Sequence, residues 1–368
     1  MSEVGETPEN IVPVTKPEKQ NVKSEVLTAT DKIILNPTPL ITDKDITPPS
    51  GDKRDFVSLS PYWYRTEDGK LEVRDGEINP EVQKYSDPER LSEATRNIFI
   101  TTLAAETAED ETDKEKYAQY AVSTLNAWFV DEDTRMTPSL EYAQTKQGET
   151  TGNHWGIIEG TGLVHAIESV NHLKESGLID EETQRSVETW FTQYLEWLTE
   201  SEKGKKQKEM PNNHGTFYDM QVAYIADFLG NDELAKEAIQ STKNRIATQI
   251  TPEGEMPLET KRTIPYDYQL FNLYGLSETA VLGEKYDIDI WNYETEDGRG
   301  LKKAFEYFTD QLKETKDNPF KMNRSGELHF SYRVASKAYR NEDYWDLPER
   351  FYKDPLVDEV TTKMIVRG

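Results

Sequence analysis

Along most of the chain, runs that are apolar on nearly every face alternate with runs that carry a single apolar stripe and a charged back. Leu91, Ala94, Ile98 and Leu103 recur at helical spacing behind Asp87-Pro88-Glu89. That triplet supplies a cap, a proline suited to the first turn and an acid at the positive end. The same reasoning predicts helices over 88–108 with 113–129, 155–176 with 180–200, 214–229 with 232–250, 266–286 with 299–315, and 327–340. Ser176-Gly177 before Asp180, and Gly230-Asn231-Asp232, supply stops and starts at the joints. First members such as Val222 to Ala226 and Leu270 to Leu273 are apolar nearly all round, whereas second members such as Glu233 to Arg245 are amphipathic. A helix apolar on every side must be covered on every side. Repeated pairs of one buried and one exposed helix therefore predict an all-α fold, an (α/α) toroid built as an incomplete double-layered helical barrel. A right-handed solenoid of helix pairs is the structural competitor.

The stretch ahead of the helices reads differently. Residues 1–55 are rich in Pro, Thr, Lys, Glu and Asp, with only short isolated apolar pairs. Such a composition buries too little to offset ordering the backbone, so a disordered or loosely attached acidic arm is expected, with the toroid domain over 56–368. Ser60-Pro61-Tyr62-Trp63-Tyr64 and a short strand-like piece ending in Arg74-Asp75-Gly76 lie between the arm and the first helix.

Composition narrows the function. The 368 residues carry a formal net charge of −26 and no Cys. Thiolate nucleophiles, disulfides and thiolate metal sites are excluded. So acidic a chain is a poor partner for nucleic acid. An anionic sugar chain stays admissible, because exposed charges are screened over about 8 Å at physiological salt and a local cationic cleft survives on an acidic body. No run is long and apolar enough to span a membrane, and the first thirty residues lack the apolar core of a signal peptide. A periplasmic or extracellular monomer is expected, with a cytoplasmic location as the alternative. His165 and His172 lie seven apart on one helix, but no His and carboxylate set has ligand spacing, so neither metal nor cofactor is expected.

The polar oddities fall at matching places in the repeat. Asn153-His154-Trp155 precedes one inner helix, Asn212-Asn213-His214-Gly215 the next, and Arg262-Thr263-Ile264-Pro265-Tyr266-Asp267-Tyr268 opens the third. In an up-down ring, the starts of inner helices converge on one rim, so three clusters would face one cleft. Taken singly, each has a plainer reading: a helix cap for the Asn residues, core packing for the Tyr residues, an ion pair for Arg262.

Four segments together resemble the alginate lyase family of polysaccharide lyases. They are Ser60-Pro61-Tyr62-Trp63 with Arg74-Asp75-Gly76 and Asn79-Pro80; Arg135-Met136 with Tyr142-Ala143-Gln144; Asn212-Asn213-His214-Gly215; and Arg262-Thr263 with Tyr268 and Phe271-Asn272-Leu273. Their order and spacing cover roughly residues 55 to 320. The resemblance implies an (α/α) toroid and a catalytic set of Asn213, His214, Arg262 and Tyr268. One departure stands out. Where such sequences commonly carry Gly-Arg before a Gly-Ile-Ile run, this chain has Asn153-His154-Trp155 before Gly156-Ile157-Ile158. Either His154 replaces that Arg on a sugar carboxylate or the substrate differs.

The chemistry so implied is β-elimination from an acidic polyuronate of the mannuronate or glucuronate type. A C5 proton becomes acidic only if the adjacent carboxylate is neutralised, which suits Asn213 and Arg262. Tyr268 is expected to be the acid, with a pKa lowered by Arg262 so that it can also serve as base; His214 is the other candidate base. Tyr62, Trp63, Tyr142 and Trp155 are expected against sugar rings, with Gln144, His154 and Asn212 as polar contacts. Two rivals stay open: a toroid glycoside hydrolase drawing paired carboxylates from Glu159, Asp219 and Glu259, and a sugar-binding protein without activity.

Overall fold

The computed structural model describes residues 24–367. Helix α1 covers Glu25–Leu35 and is followed by three short strands, β1 (Val57–Leu59), β2 (Trp63–Arg65) and β3 (Leu71–Val73). Helices α2 (Asp87–Thr107) and α3 (Glu111–Leu125) form an antiparallel pair, and strand β4 (Tyr142–Thr145) comes next. Helices α4 (Leu163–Glu175), α5 (Glu181–Glu200) and the short α6 (Glu202–Lys208) precede α7 (Asn213–Phe228) and α8 (Asp232–Gln249). The one-turn α9 (Pro257–Thr260) leads into α10 (Pro265–Lys285) and α11 (Leu301–Glu314). Helices α12 (Ser325–Tyr339), α13 (Glu342–Asp346) and α14 (Pro355–Arg367) end the chain.

Packing follows the two-layer expectation. Helices α2, α4, α7, α10 and α12 touch in that order as an inner ring, and α3, α8 and α11 back α2, α7 and α10. Helix α5 lies behind α7 and against the turn that ends α3. Inner members are buried on every face: α7 and α10 bury Asp219, Gln221, Asn272 and Glu278 along with their apolar residues. The gap between α12 and α2 is filled by α14, with α1 against both α14 and α2.

Two predicted helices are shorter than their periodicity. The one expected over 155–176 begins as a 3-10 turn over His154–Gly160, before α4. Gly156, Gly160 and Gly162 weaken the α conformation there. The one expected over 113–129 ends with a π-helical turn over Asn126–Val130.

The arm expected over 1–55 needs correction. Residues 1–23 lie outside the described residues, but 24–55 are folded onto the body. Val26 and Ile41 are fully buried, and Trp128 Nε1 donates to the Pro39 carbonyl at 3.2 Å. The α1 amino end is held by one carboxylate of α14: Glu359 accepts from Ser24 Oγ at 2.7 Å and from the Glu25 and Val26 amides at 2.7 and 3.2 Å. Lys44 is buried in an ion pair with Asp87. Val26, Leu27, Ala29, Ile33 and Ile34 of α1 pack against the core, so its apolar side has a partner.

Two glycines mark close approaches that position the rim. A Cβ on Gly215 would lie 2.1 Å from the Met210 carbonyl oxygen, so only glycine lets α7 start beneath that loop. Gly76 has φ +78°, and a Cβ there would sit 2.9 Å from the Cβ of Thr263, so the end of the β2–β3 hairpin lies directly on the turn before α10.

Candidate active site

The starts of α7, α10 and α12 meet the β2–β3 hairpin around a cleft of about 370 Å³. Tyr62, Trp63, Gln144, Trp155, Asn212, Asn213, His214, Arg262 and Tyr268 all line it. The antiparallel pairing of β2 with β3 brings Asp75 back to the Arg262 side chain. Asp75 accepts from Arg262 Nε at 3.1 Å and Nη2 at 2.5 Å, and from the Thr263 amide at 3.1 Å. So held, the guanidinium lies over the Tyr268 ring, 3.7 Å from its centroid. The Tyr268 hydroxyl is 2.6 Å from that of Tyr62.

The α7 start is fixed from behind. Asn213 donates its backbone amide to Glu259 at 2.8 Å, and its Nδ2 to both carboxyl oxygens of Glu259 at 3.0 and 2.8 Å. His214 is in contact with Gln207 of α6, whose Nε2 is 3.0 Å from its Nδ1.

Burial sets the charges. His214 is driven down to about 3 by loss of solvent, with smaller pushes from His154 and Arg262, so the imidazole is neutral at working pH. Asp75 is held well below the usual carboxylate range by Arg262 and Thr263. Glu259 is raised to about 7 by burial, against its bonds to Asn213. Tyr268 departs from expectation. Its pKa is raised rather than lowered, because burial and the Tyr62 hydroxyl outweigh the guanidinium, and Asp75 adds an opposing negative charge.

Tyr142, in β4, and His154 are not among the residues lining the cleft. His154 nonetheless packs its ring 5.0 Å from that of Trp155, which does line it, and lies close enough to His214 to act on its charge. Three residues not anticipated line the cleft or touch side chains that line it. Arg324, at the start of α12, lines the cleft, stacks over Phe271 at 4.6 Å and pairs with Glu327 at 2.7 Å. It sits where the other clusters sit, at an inner-helix start, and the same rule applied to a fourth helix would have found it. Lys146 Nζ lies 4.0 Å over Trp63, whose ring stacks on Trp155 at 6.0 Å. It supplies a cation beside the aromatic pair. The third is Gln207, the lone uncharged side chain with hydrogen-bonding groups in the lysine-rich run of α6.

The three carboxylates weighed for hydrolysis are engaged away from the cleft. Glu259 is bound to Asn213, Asp219 pairs with Arg245 at 2.8 Å, and Glu159 accepts from Ser58 Oγ at 2.5 Å. Among the described residues, Asp75 is the one carboxylate lining the cleft, and it is paired to Arg262. Two free carboxyl groups flanking a bond are therefore not available. A second cavity, of about 350 Å³, lies between α2, α4, α10, α12 and α14 and carries Arg96, Glu159, His165, Glu278 and Glu327 beside apolar residues.

A helical toroid with an amide, an imidazole, a guanidinium and a phenol on one rim defines a polysaccharide lyase. The chain belongs to the alginate lyase family, whose model matches residues 40–318. It is similar to an alginate lyase from Bacteroides ovatus at 28% identity, with a TM-score of 0.81, over 91% of this chain and 90% of that one. Its fold is also similar to that of alginate lyase A1-III from Sphingomonas species A1, at 13% identity, TM-score 0.56, and 90% and 92% coverage. A variant of that Sphingomonas enzyme complexed with a tetrasaccharide matches at 13% identity and TM-score 0.59, over 90% of this chain and 91% of that one. No curated protein matches the chain.

Proposed function

We propose that the chain cleaves an alginate-type polyuronate at mannuronate by syn β-elimination, working as a periplasmic or extracellular monomer. Tyr268 serves as both base and acid. The observation that carries this reading is the stack of Arg262 on Tyr268 in the cleft that also holds Asn213 and His214. In the elimination, the C5 proton passes to the Tyr268 phenolate and the C–H electrons become the C4–C5 double bond. The C4–O bond breaks toward the leaving sugar, whose oxygen takes the proton back from Tyr268. In β-D-mannuronate the C5 proton and C4 oxygen are on one face, so one phenol reaches both.

Charge developing on the sugar carboxylate needs donors set before the reaction. His214, Asn212 and the guanidinium groups of Arg262 and Arg324 border the space it would occupy. Trp63, Trp155 and Lys146 offer an apolar face and a cation for a neighbouring uronate.

The test is Tyr268→Phe on poly-mannuronate, followed by ultraviolet absorbance of the conjugated uronide. Turnover should fall by at least about 1000-fold, with oligosaccharide affinity within a few-fold of the parent. Retained turnover, or no unsaturated product from the parent enzyme on any polyuronate, overturns the reading.

A further inference from the structure

The ring nitrogens of His214 are not equivalent, and the reason lies outside the cleft. Gln207 is fully buried, and its Nε2 is 3.2 Å from the backbone carbonyl oxygen of His214 and 3.0 Å from Nδ1 of the same residue. A carbonyl oxygen only accepts, so the Gln207 atom facing it must be the amide nitrogen. Turning the amide over would set two carbonyl oxygens 3.2 Å apart in a buried site. The Gln207 nitrogen therefore donates to both, and Nδ1 is an acceptor with no hydrogen. The remaining hydrogen of the neutral ring is on Nε2. The Gln207 carbonyl oxygen has no hydrogen-bond donor among the described residues, so the orientation of this amide is set by its nitrogen alone.

We propose that Gln207 is a positioning residue that fixes the tautomer of His214, so that His214 meets the sugar as a donor through Nε2–H. It then cannot act as the base. This inference rests on the lyase reading above and gives a separate ground for its choice of Tyr268 over His214 as base. An imidazole presenting Nε2–H donates to the sugar carboxylate or to a ring oxygen, while the C5 proton goes to Tyr268. The stereochemical consequence is selectivity. In α-L-guluronate the C5 proton and C4 oxygen lie on opposite faces, which calls for a base across the ring from Tyr268. With Nε2 protonated that position holds a donor, so the anti route is closed and uronates with syn geometry are preferred.

The tautomer is read directly from the full-length protein labelled with 15N-histidine. The His214 signals are assigned by their loss in His214→Ala. Near neutral pH, Nδ1 is expected to resonate as an unprotonated ring nitrogen and Nε2 as a protonated one. The reverse assignment, or a fast average of the two, overturns the inference.

The second arm is Gln207→Glu, which places an acceptor against Nδ1 and draws the hydrogen there. The rate on poly-mannuronate should fall at least about 100-fold, and the ratio of mannuronan to guluronan rates should fall with it. An acidic limb absent from the parent should appear in the pH profile, because the new carboxylate raises the imidazole from its low value. A folded variant with parental rates and pH profile overturns the proposal. The failures are separable: a chain without lyase activity leaves the labelled spectrum standing, whereas a reversed tautomer in an active enzyme removes this inference alone.

Discussion

At the scale of single residues, the cleft shows how pairing and burial override what a sequence suggests about charge. Arg262 beside Tyr268 reads as a cation that acidifies a phenol, and the contact is real at 3.7 Å. The same guanidinium, however, is already paired with Asp75, and the phenol is buried against Tyr62. The net effect is a raised pKa, so the rate should climb with pH through the alkaline range as phenolate forms. Asp75→Asn tests the balance. Removing a negative charge favours the phenolate, so the alkaline rise of kcat should move down by about one pH unit, while KM grows because Thr263 and the hairpin lose an acceptor. A kcat lowered equally at every pH would show that Asp75 only holds the hairpin. What was legible at this scale was placement, since polar clusters at inner-helix starts did converge. What was not legible was partnership. Glu259 behind Asn213, Asp75 on Arg262 and Gln207 on His214 are contacts across 46, 187 and 7 residues, and no local pattern encodes them.

At the scale of elements, periodicity found the long helices and missed the short ones. Helices α2, α7 and α10 are long enough for an apolar pattern to repeat several times. Helix α1 has 11 residues, and its apolar face sits inside a polar, proline-rich stretch, so composition hid it. Strands β1 and β4 pair in parallel from 57 to 142, a link with no sequence-local trace. The anchoring of α1 predicts a cost for removing it. Glu359 lies at the α1 amino end, accepting two backbone amides and a hydroxyl, which suits both the free donors and the dipole there. Glu359→Gln should cost about 1 kcal/mol, and Val26→Ala about 1 to 2 kcal/mol, each lowering Tm by a few degrees in a thermal melt. Limited proteolysis should then cut first between 24 and 55. If neither substitution moves Tm, α1 contributes nothing to the closed ring.

At the scale of the whole molecule, the buried acids set how stability follows pH. Glu159, Glu259 and Glu278 are each raised to about 7, in every case chiefly by burial. A carboxyl group whose pKa is higher folded than unfolded binds its proton more tightly when folded. Its contribution is complete below the unfolded value, near 4.5, and is lost as pH rises through about 7. Asp75, held low by Arg262, works the other way, and its contribution fades only as pH falls below the ordinary carboxylate range. His214, pushed down to about 3 by burial, opposes this as pH falls below the ordinary histidine range. One imidazole is outweighed by three carboxyl groups, so the chain should be more stable in mild acid than in mild alkali. A tenfold change in proton affinity corresponds to about 1.4 kcal/mol, and the three glutamates all act in the same direction. Calorimetry at fixed ionic strength should give a clearly higher Tm near pH 5.5 than near pH 8, and Glu278→Gln should flatten part of that slope without touching the cleft. A Tm that is level or rises over that interval refutes the assignment of these acids. The direction matters for function, because Tyr268 must lose its proton to act as base. Turnover and stability are thus pulled toward opposite ends of the pH scale, and the acids that stabilise the ring in acid are the ones that weaken it where the phenolate forms.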